Sequence, residues 1–397
     1  MSAPIQPASD PPPSLGPREW RLRLDPLLLL ATLGLVACSL IAIRGATADD
    51  WDGDPLYYVK RQAVYIGVGF VLMYGLSRLD YSRLRELRYP IYGLLIFGNL
   101  FVLAIAPETR GTRAWLELPG FNLQYSEIGK MLLAVALAGF LVERMREMGR
   151  QTTARVMLLG LLPTMIVLAQ SDLGSATVYV VGTLAILFVA GAPWRHFAGL
   201  AALFAVAVAF VLVAAPRLGV EVLKPYQVER LTSFMHPSEN ANDAGYQQEQ
   251  ARIAIGSGEK TGRGVDGATQ TKLDFLPEHH TDFIYAVIGE TYGFAGCALV
   301  LSLYALLIWR ALHILTIAKN LFGALIAGCI AMMLLYQLFV NIGMNVGIMP
   351  ITGVTAPLLS FGGSSMLSTF LALGLLHSIN AQARDTASSK GRTAIFQ

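Results

Sequence analysis

The stretch Leu321-Phe322-Gly323-Ala324-Leu325-Ile326-Ala327-Gly328-Cys329-Ile330-Ala331-Met332-Met333-Leu334-Leu335-Tyr336-Gln337-Leu338-Phe339-Val340-Asn341 decides the architecture. It contains no Asp, Glu, Lys or Arg, and it matches the run of about 20 mostly apolar residues that a helix needs to cross a bilayer. Working outward, comparable runs occupy 283–309 before it and 362–380 after it, then 197–215, 173–192, 156–170, 127–142, 90–106, 63–79 and 26–43. The expected fold class is all-α: a polytopic integral membrane protein of about ten transmembrane helices with a long extracytoplasmic loop, 216–282, between spans seven and eight. The turn Ser171-Asp172-Leu173-Gly174 separates two of the runs, which read as a hairpin of two spans rather than one broken helix.

Composition agrees. Of 397 residues, 54% are hydrophobic and only 14% charged, with a mean hydropathy of +0.52. Soluble proteins average about 45–50% apolar and about 25% charged, so there is too little polar surface here to clothe a water-soluble globule. Disorder needs the opposite composition. A net charge of +3 is too mild for a nucleic-acid binder. Cys38, Cys297 and Cys329 each lie inside an apolar run and lack metal-ligand spacing, so they read as small core residues.

Orientation follows from the basic residues of the short loops. Arg78, Arg83, Arg85 and Arg88 fall in one such loop and Arg144, Arg146, Arg150 and Arg155 in another on the same side. The opposite side has only Arg44, Lys60 and Arg61 in 44–62 and Arg110 and Arg113 in 107–126. Both termini are therefore expected in the cytoplasm, with 1–25 a disordered tail, 381–397 a second cytoplasmic tail and 216–282 outside. Ala46-Thr47-Ala48 resembles a signal-peptidase site, but the apolar run before it is too long for a signal peptide and the first span reads as retained.

Ionisable residues inside spans are costly and so point to function. Glu127 and Lys130 are three apart at the start of span four, on one helix face and within pairing reach; a purely structural ion pair is the alternative. Asp172, in the turn between spans five and six, reads equally as a helix cap. Asp282 closes the long loop in Pro277-Glu278-His279-His280-Thr281-Asp282-Phe283. A carboxylate partly removed from water there is a suitable general base, and an N-cap of span eight is the competing assignment. Glu290, two turns deeper, reads as a structural hydrogen-bonding group. Adjacent His279 and His280 cannot easily face one metal ion.

Gly256-Ser257-Gly258-Glu259-Lys260-Thr261-Gly262-Arg263-Gly264 fails the nucleotide phosphate-loop spacing, although its amides could meet a lipid diphosphate. The segment from Asn341 to Ser365 is uncharged yet full of helix breakers. Irregular backbone at membrane depth is tolerated only where protein buries it or a cavity hydrates it, so a re-entrant segment is expected.

Together these motifs resemble the SEDS proteins of bacterial cell-wall synthesis. The resemblance is carried by Arg113-Ala114-Trp115-Leu116, Ser126-Glu127-Ile128-Gly129-Lys130, Ala254-Ile255-Gly256-Ser257-Gly258, Phe275 to Ile284, Asn341-Ile342-Gly343 and Gly362-Gly363-Ser364-Ser365. It runs in matching order from Leu27 to Ile379. Met344 after Asn-Ile-Gly, and Gly245-Tyr246 with Gln250 before Ile253-Ala254-Ile255-Gly256, look more like the elongation branch, RodA, than the division branch, FtsW. The sequence departs from the family at Gln124-Tyr125-Ser126-Glu127 and Gln170-Ser171-Asp172-Leu173-Gly174, where the second residue is usually Pro, and at Thr291 and Thr355.

The resemblance implies a peptidoglycan glycosyltransferase of the inner membrane that polymerises lipid II, a polyprenyl-diphosphate-linked disaccharide peptide, on the outer face. Asp282 would be the catalytic carboxylate, with Arg113, Trp115, Glu127, Lys130, Gln250, Arg252, Arg263, His280, Thr281, Asn341 and Ser360 binding substrate. Expected partners are a class B penicillin-binding protein and other elongation-complex membrane proteins. A divalent cation, Mg or Mn, is an expected cofactor for the diphosphate, with no ligands assigned. The alternatives are a lipid II flippase and a non-catalytic scaffold.

Overall fold

A computed structural model of the chain describes residues 24–47, 54–108, 111–118, 121–143, 149–209, 244–273, 275–276 and 278–395. The main helices are α1 (Pro26–Ala46), α2 (Tyr57–Arg78), α3 (Arg88–Ile105), α4 (Tyr125–Val142), α5 (Arg150–Ala169), α6 (Leu173–Val189), α7 (Trp194–Ala209), α8 (Ala244–Ser257), α9 (Ile284–Ile317), α10 (Leu321–Val346) and α11 (Gly363–Ile395). Every apolar stretch read from the sequence coincides at least in part with one of them. Six, namely α1, α3, α4, α5, α9 and α10, are long and apolar enough to cross a membrane, while Leu173–Val189 and Trp194–Val206 are apolar but shorter.

The arrangement places α4 and α10 at the centre. Around them α1 packs on α9, α2 on α11, α3 on α4, and α5 on α6, while α6 and α9 both flank α10. Large apolar side chains such as Val71, Phe97, Leu158, Phe188 and Phe294 face outward. A water-soluble monomer rarely exposes apolar surface on that scale, and lipid is the solvent that suits it.

Several boundaries differ from the sequence reading. The chain is mostly helical rather than all-α, because β1 (Trp115–Leu118) and β2 (Phe121–Gln124) pair antiparallel, with Trp115 opposite Gln124 and Leu118 opposite Phe121. In sequence the signal is Trp115-Leu116-Glu117-Leu118 and Phe121-Asn122-Leu123-Gln124, in which apolar and polar residues alternate in part, on either side of a Pro-Gly pair. The last helix continues past 380 to Ile395. Much of the expected loop 216–282 lies outside the described residues, and its later part holds α8, packed on α9 and α10. Asp25, expected in the N-terminal tail, is fully buried: it caps α1 through Leu27 N and Leu28 N and pairs with Arg310 of α9. Burial pushes its carboxyl up, but the Arg310 and Leu28 hydrogen bonds and the charges of Arg310 and Arg384 outweigh that and hold it below the usual carboxylate value.

The glycine-rich run 256–264 is not an open anion cradle. Gly293 has φ +62 and breaks α9, which frees the amides that follow. Phe294 N and Ala295 N then donate to the carbonyls of Glu259 and Lys260 at 2.9 and 3.1 Å, and Arg263 N donates to Glu290 O at 2.9 Å. The two backbones touch: a Cβ on Gly262, itself at φ +84, would lie 2.1 Å from Thr291 O. The run therefore packs against a helix break, with the Gly258, Gly262 and Arg263 amides bonded inside the protein.

Glycine at 262 should consequently be indispensable to the fold. Gly262→Ala is expected to destabilise the protein by about 2 kcal/mol or more, from the left-handed backbone and the overpacked contact together. Its melting temperature in detergent should fall clearly below wild type, whereas Gly256→Ala, where a Cβ meets open space, should melt close to it.

Candidate active site

Asp282 lies in the tight turn that feeds α9. Glu278 adopts φ +55 there, and its carbonyl accepts from Thr281 N and Asp282 N. Phe283 is the first residue before α9, and Asp282 directly precedes it. The Asp282 carbonyl accepts from both Asn341 Nδ2 and Asn345 Nδ2 at 3.1 Å. Asp282 is a half-buried residue, and the segment after α10 approaches its carboxyl group: a Cβ on Gly353 would stand 3.8 Å from Asp282 Oδ2.

That segment, 347–362, has no regular structure, yet Ile351, Val354, Ala356, Leu358, Leu359 and Ser360 are buried. Its polar backbone is served by side chains from the surrounding helices. Ser39 donates to Leu359 O, Tyr304 to Pro357 O, Gln62 to Ser360 O and Asn341 to Val354 O. The segment is therefore irregular backbone buried within the bundle. Ser360 has its hydroxyl committed to Ala356 N at 2.9 Å and closes this turn. The His280 ring packs at a tilt against Tyr58 and lies edge-on to Phe361, and the His280 carbonyl accepts from Phe361 N, which joins the Asp282 turn to the buried irregular segment. Thr281 Oγ1 bonds back to Glu278.

A second polar cluster sits deeper. Lys130 Nζ donates to Glu127 Oε1 at 2.7 Å and to Gln337 Oε1 at 2.8 Å, and Ser368 donates to Glu127 Oε2 at 3.3 Å. Both charged residues are only 6% exposed. The expected pair thus exists, completed by α10 and α11.

The remaining candidates divide. Asp172 caps α6 through Ser175 N and also accepts from Gln124 Nε2 and Ser126 Oγ, tying the hairpin and α4 to α6. Glu290 is fully buried and accepts from Gln270 N, Thr271 N and Thr271 Oγ1, the structural role expected of it. Arg113 is exposed beside the hairpin, pairs with Glu108 at 3.1 Å and lines a cleft with Leu103, Ala169 and Ser171. Trp115 is half-buried on β1. Arg252 pairs with Glu249 and lies over Gly347, while Gln250 is half-exposed on the same helix. Arg263 bonds Ser257 O at the helix break, away from the Asp282 turn. Sequence reasoning passed over Gln337, Asn345 and Gln248, which donates to Met344 O and Met349 O. The first two were legible as polar residues at fourfold spacing around Asn341 on an apolar helix. Among the described residues no three His, Cys, Asp or Glu side chains converge as metal ligands.

The profile of the FtsW/RodA/SpoVE family, described as cell cycle proteins, matches residues 22–385. The chain belongs to the FtsW/RodA/SpoVE, or SEDS, family. It is 37% identical to the probable peptidoglycan glycosyltransferase FtsW of Thioalkalivibrio sulfidiphilus, over 89% of this chain and 88% of that protein. It is 34% identical to the peptidoglycan glycosyltransferase MrdB of Escherichia coli, over 92% and 95%. Among solved structures it resembles a chain from a peptidoglycan synthase complex that coordinates polymerization and crosslinking, with TM-score 0.77, 32% identity and coverage of 92% and 98%. The Thermus thermophilus rod shape determining protein RodA follows with TM-score 0.66, 30% identity and the same coverage. Similarity extends to FtsW and RodA names alike, so it establishes the SEDS family and not the branch.

The buried pair has a measurable signature. Lys130→Met strands the Glu127 carboxylate and should cost about 3–5 kcal/mol. Removing both charges, in Glu127→Gln with Lys130→Met, should restore much of the melting temperature that the single variant loses.

Proposed function

We propose that this protein is a peptidoglycan glycosyltransferase that polymerises lipid II into glycan strands, with Asp282 as general base. The observation that carries the reading is the Asp282 turn: a half-buried aspartate on a backbone gripped by two buried asparagines, in a chain whose relatives are named for this activity. The acceptor 4-hydroxyl gives its proton to Asp282 while its oxygen attacks the anomeric carbon of the lipid-linked donor. The bond from that carbon to the diphosphate breaks, the centre inverts and the lipid diphosphate leaves. A diphosphate is a good leaving group, so one carboxylate suffices where a glycosidase usually uses two.

Arg113, exposed at the hairpin and paired with Glu108, would meet developing diphosphate charge. Lys130 is already engaged by Glu127 and Gln337 and supports the site from within. A polyprenyl tail would stay in lipid while the sugars reach the turn. Ten membrane crossings, cytoplasmic termini and an outward-facing site would accord with the apolar runs and the arginine-rich loops, and the family supports a location in the bacterial inner membrane. The partner would be a class B penicillin-binding protein, in keeping with the synthase complex that the fold resembles. Met344 and the Gly245-Tyr246 motif favour the elongation branch.

The decisive assay is polymerisation of purified lipid II by wild type and Asp282→Asn, each co-purified with the class B partner. Loss of a positioned base should lower the rate by about a hundredfold to ten-thousandfold, with the variant still folded and partner-bound. Equal polymerisation by both proteins would falsify the assignment of Asp282. Failure of both, beside an active control polymerase, would favour the flippase.

A further inference from the structure

We infer that Asn345 and Gln337 are positioning residues for the transfer reaction, and that one face of α10 sets the placement of both Asp282 and Lys130. The inference rests on the proposed reading of Asp282 as the reactive carboxylate and of Lys130 as a supporting group of the same site. Gln337, Asn341 and Asn345 recur every four residues and so share one face of the helix. Asn341 and Asn345 are fully buried and Gln337 nearly so. An amide in such surroundings is costly unless its hydrogen bonds are made.

The bonds go to the parts that matter. Asn345 Nδ2 donates to Asp282 O at 3.1 Å and to Asn341 O at 2.7 Å, while Asn345 Oδ1 accepts from Ala286 N at 3.1 Å. One side chain therefore holds the chain on both sides of Phe283 and fixes the backbone from which the Asp282 carboxyl projects. Asn341 adds the second bond to Asp282 O and ties Val354 O of the buried irregular segment to the same face. Two turns below Asn345, Gln337 donates to Met333 O at 3.2 Å, which orients its amide, and its Oε1 accepts from Lys130 Nζ. A helix rises about 1.5 Å per residue, so a rigid rod spans the roughly 12 Å between the two gripping residues. Neither Asn345 nor Gln337 needs to touch substrate.

The test is steady-state polymerisation of lipid II by the intact protein with its class B partner, comparing wild type, Asn345→Ala, Asn345→Asp, Gln337→Met and Asp282→Asn. Asn345→Ala should lower kcat by about a hundredfold and Gln337→Met by about tenfold, with KM for lipid II within about twofold, the pattern of lost alignment rather than lost binding. Asn345→Asp adds a pH signature. Its carboxyl donates to Asp282 O only when protonated, and burial raises the pH at which it takes up that proton. Its kcat relative to wild type should therefore rise as the pH is lowered from about 8 to about 6. This ratio decides the matter even if Asn345→Ala does not fold. A purely structural role would instead lower the melting temperature and the active fraction while leaving kcat per active molecule and the pH profile at wild type, and that result overturns the inference. If Asp282→Asn is inactive while Asn345→Ala and Gln337→Met keep wild-type kcat, only this inference falls. If Asp282→Asn is fully active, the reading beneath it falls as well.

Discussion

Polar backbone in an apolar bundle must find hydrogen-bond partners, and the arrangement around 347–362 depends on meeting that requirement. An unpaired buried amide or carbonyl costs enough that regular helix is the default at membrane depth. The segment abandons helix after α10 and remains buried because Ser39, Gln62, Tyr304 and Asn341 each donate to one of its carbonyls. Those donors come from α1, α2, α9 and α10, so four helices are held to one another through a stretch of coil. The same coil brings Gly353 up to the Asp282 carboxyl group. Fold and site are thus consequences of one constraint.

Charge is handled by the same logic. Glu127 and Lys130 neutralise each other, and Gln337 and Ser368 take up further bonding capacity. At the other end of α1, Asp25 meets Arg310 and Arg384, and its backbone amide donates to His377 Nδ1. Each cluster joins elements far apart in sequence. Ion pairs of this kind add little net stability, since desolvation offsets attraction, but breaking one partner is expensive. They specify which helices meet.

The break in α9 shows how a loop motif can serve a helix. Gly293 interrupts the hydrogen-bond ladder, and the carbonyls of Glu259 and Lys260 receive the amides that follow it. The first part of α9, which follows directly from the Asp282 turn, is consequently held by the 256–264 run and by Glu290 gripping Gln270 and Thr271. A glycine-rich sequence that resembles an anion-binding loop is here occupied by backbone-to-backbone contact.

Much was determined by the sequence alone. Scarce charge and repeated apolar runs dictate a helical membrane protein, because only helix satisfies its own backbone there without a closed barrel. The i,i+3 spacing of Glu127 and Lys130 announces their pairing, and helix breakers without charge announce a buried irregular segment. The tertiary structure alone decided the rest. Nothing in Asn345 or Gln337, read singly, distinguishes them from other polar residues, since their partners Asp282 and Lys130 lie 63 and 207 positions away. The hairpin at Trp115–Gln124 was too short to stand out among long spans. The fate of Gly256–Gly264 depended on where α9 breaks. Periodicity records a residue's relation to its own helix, whereas a hydrogen bond between helices depends on which faces meet, and only packing in three dimensions determines that.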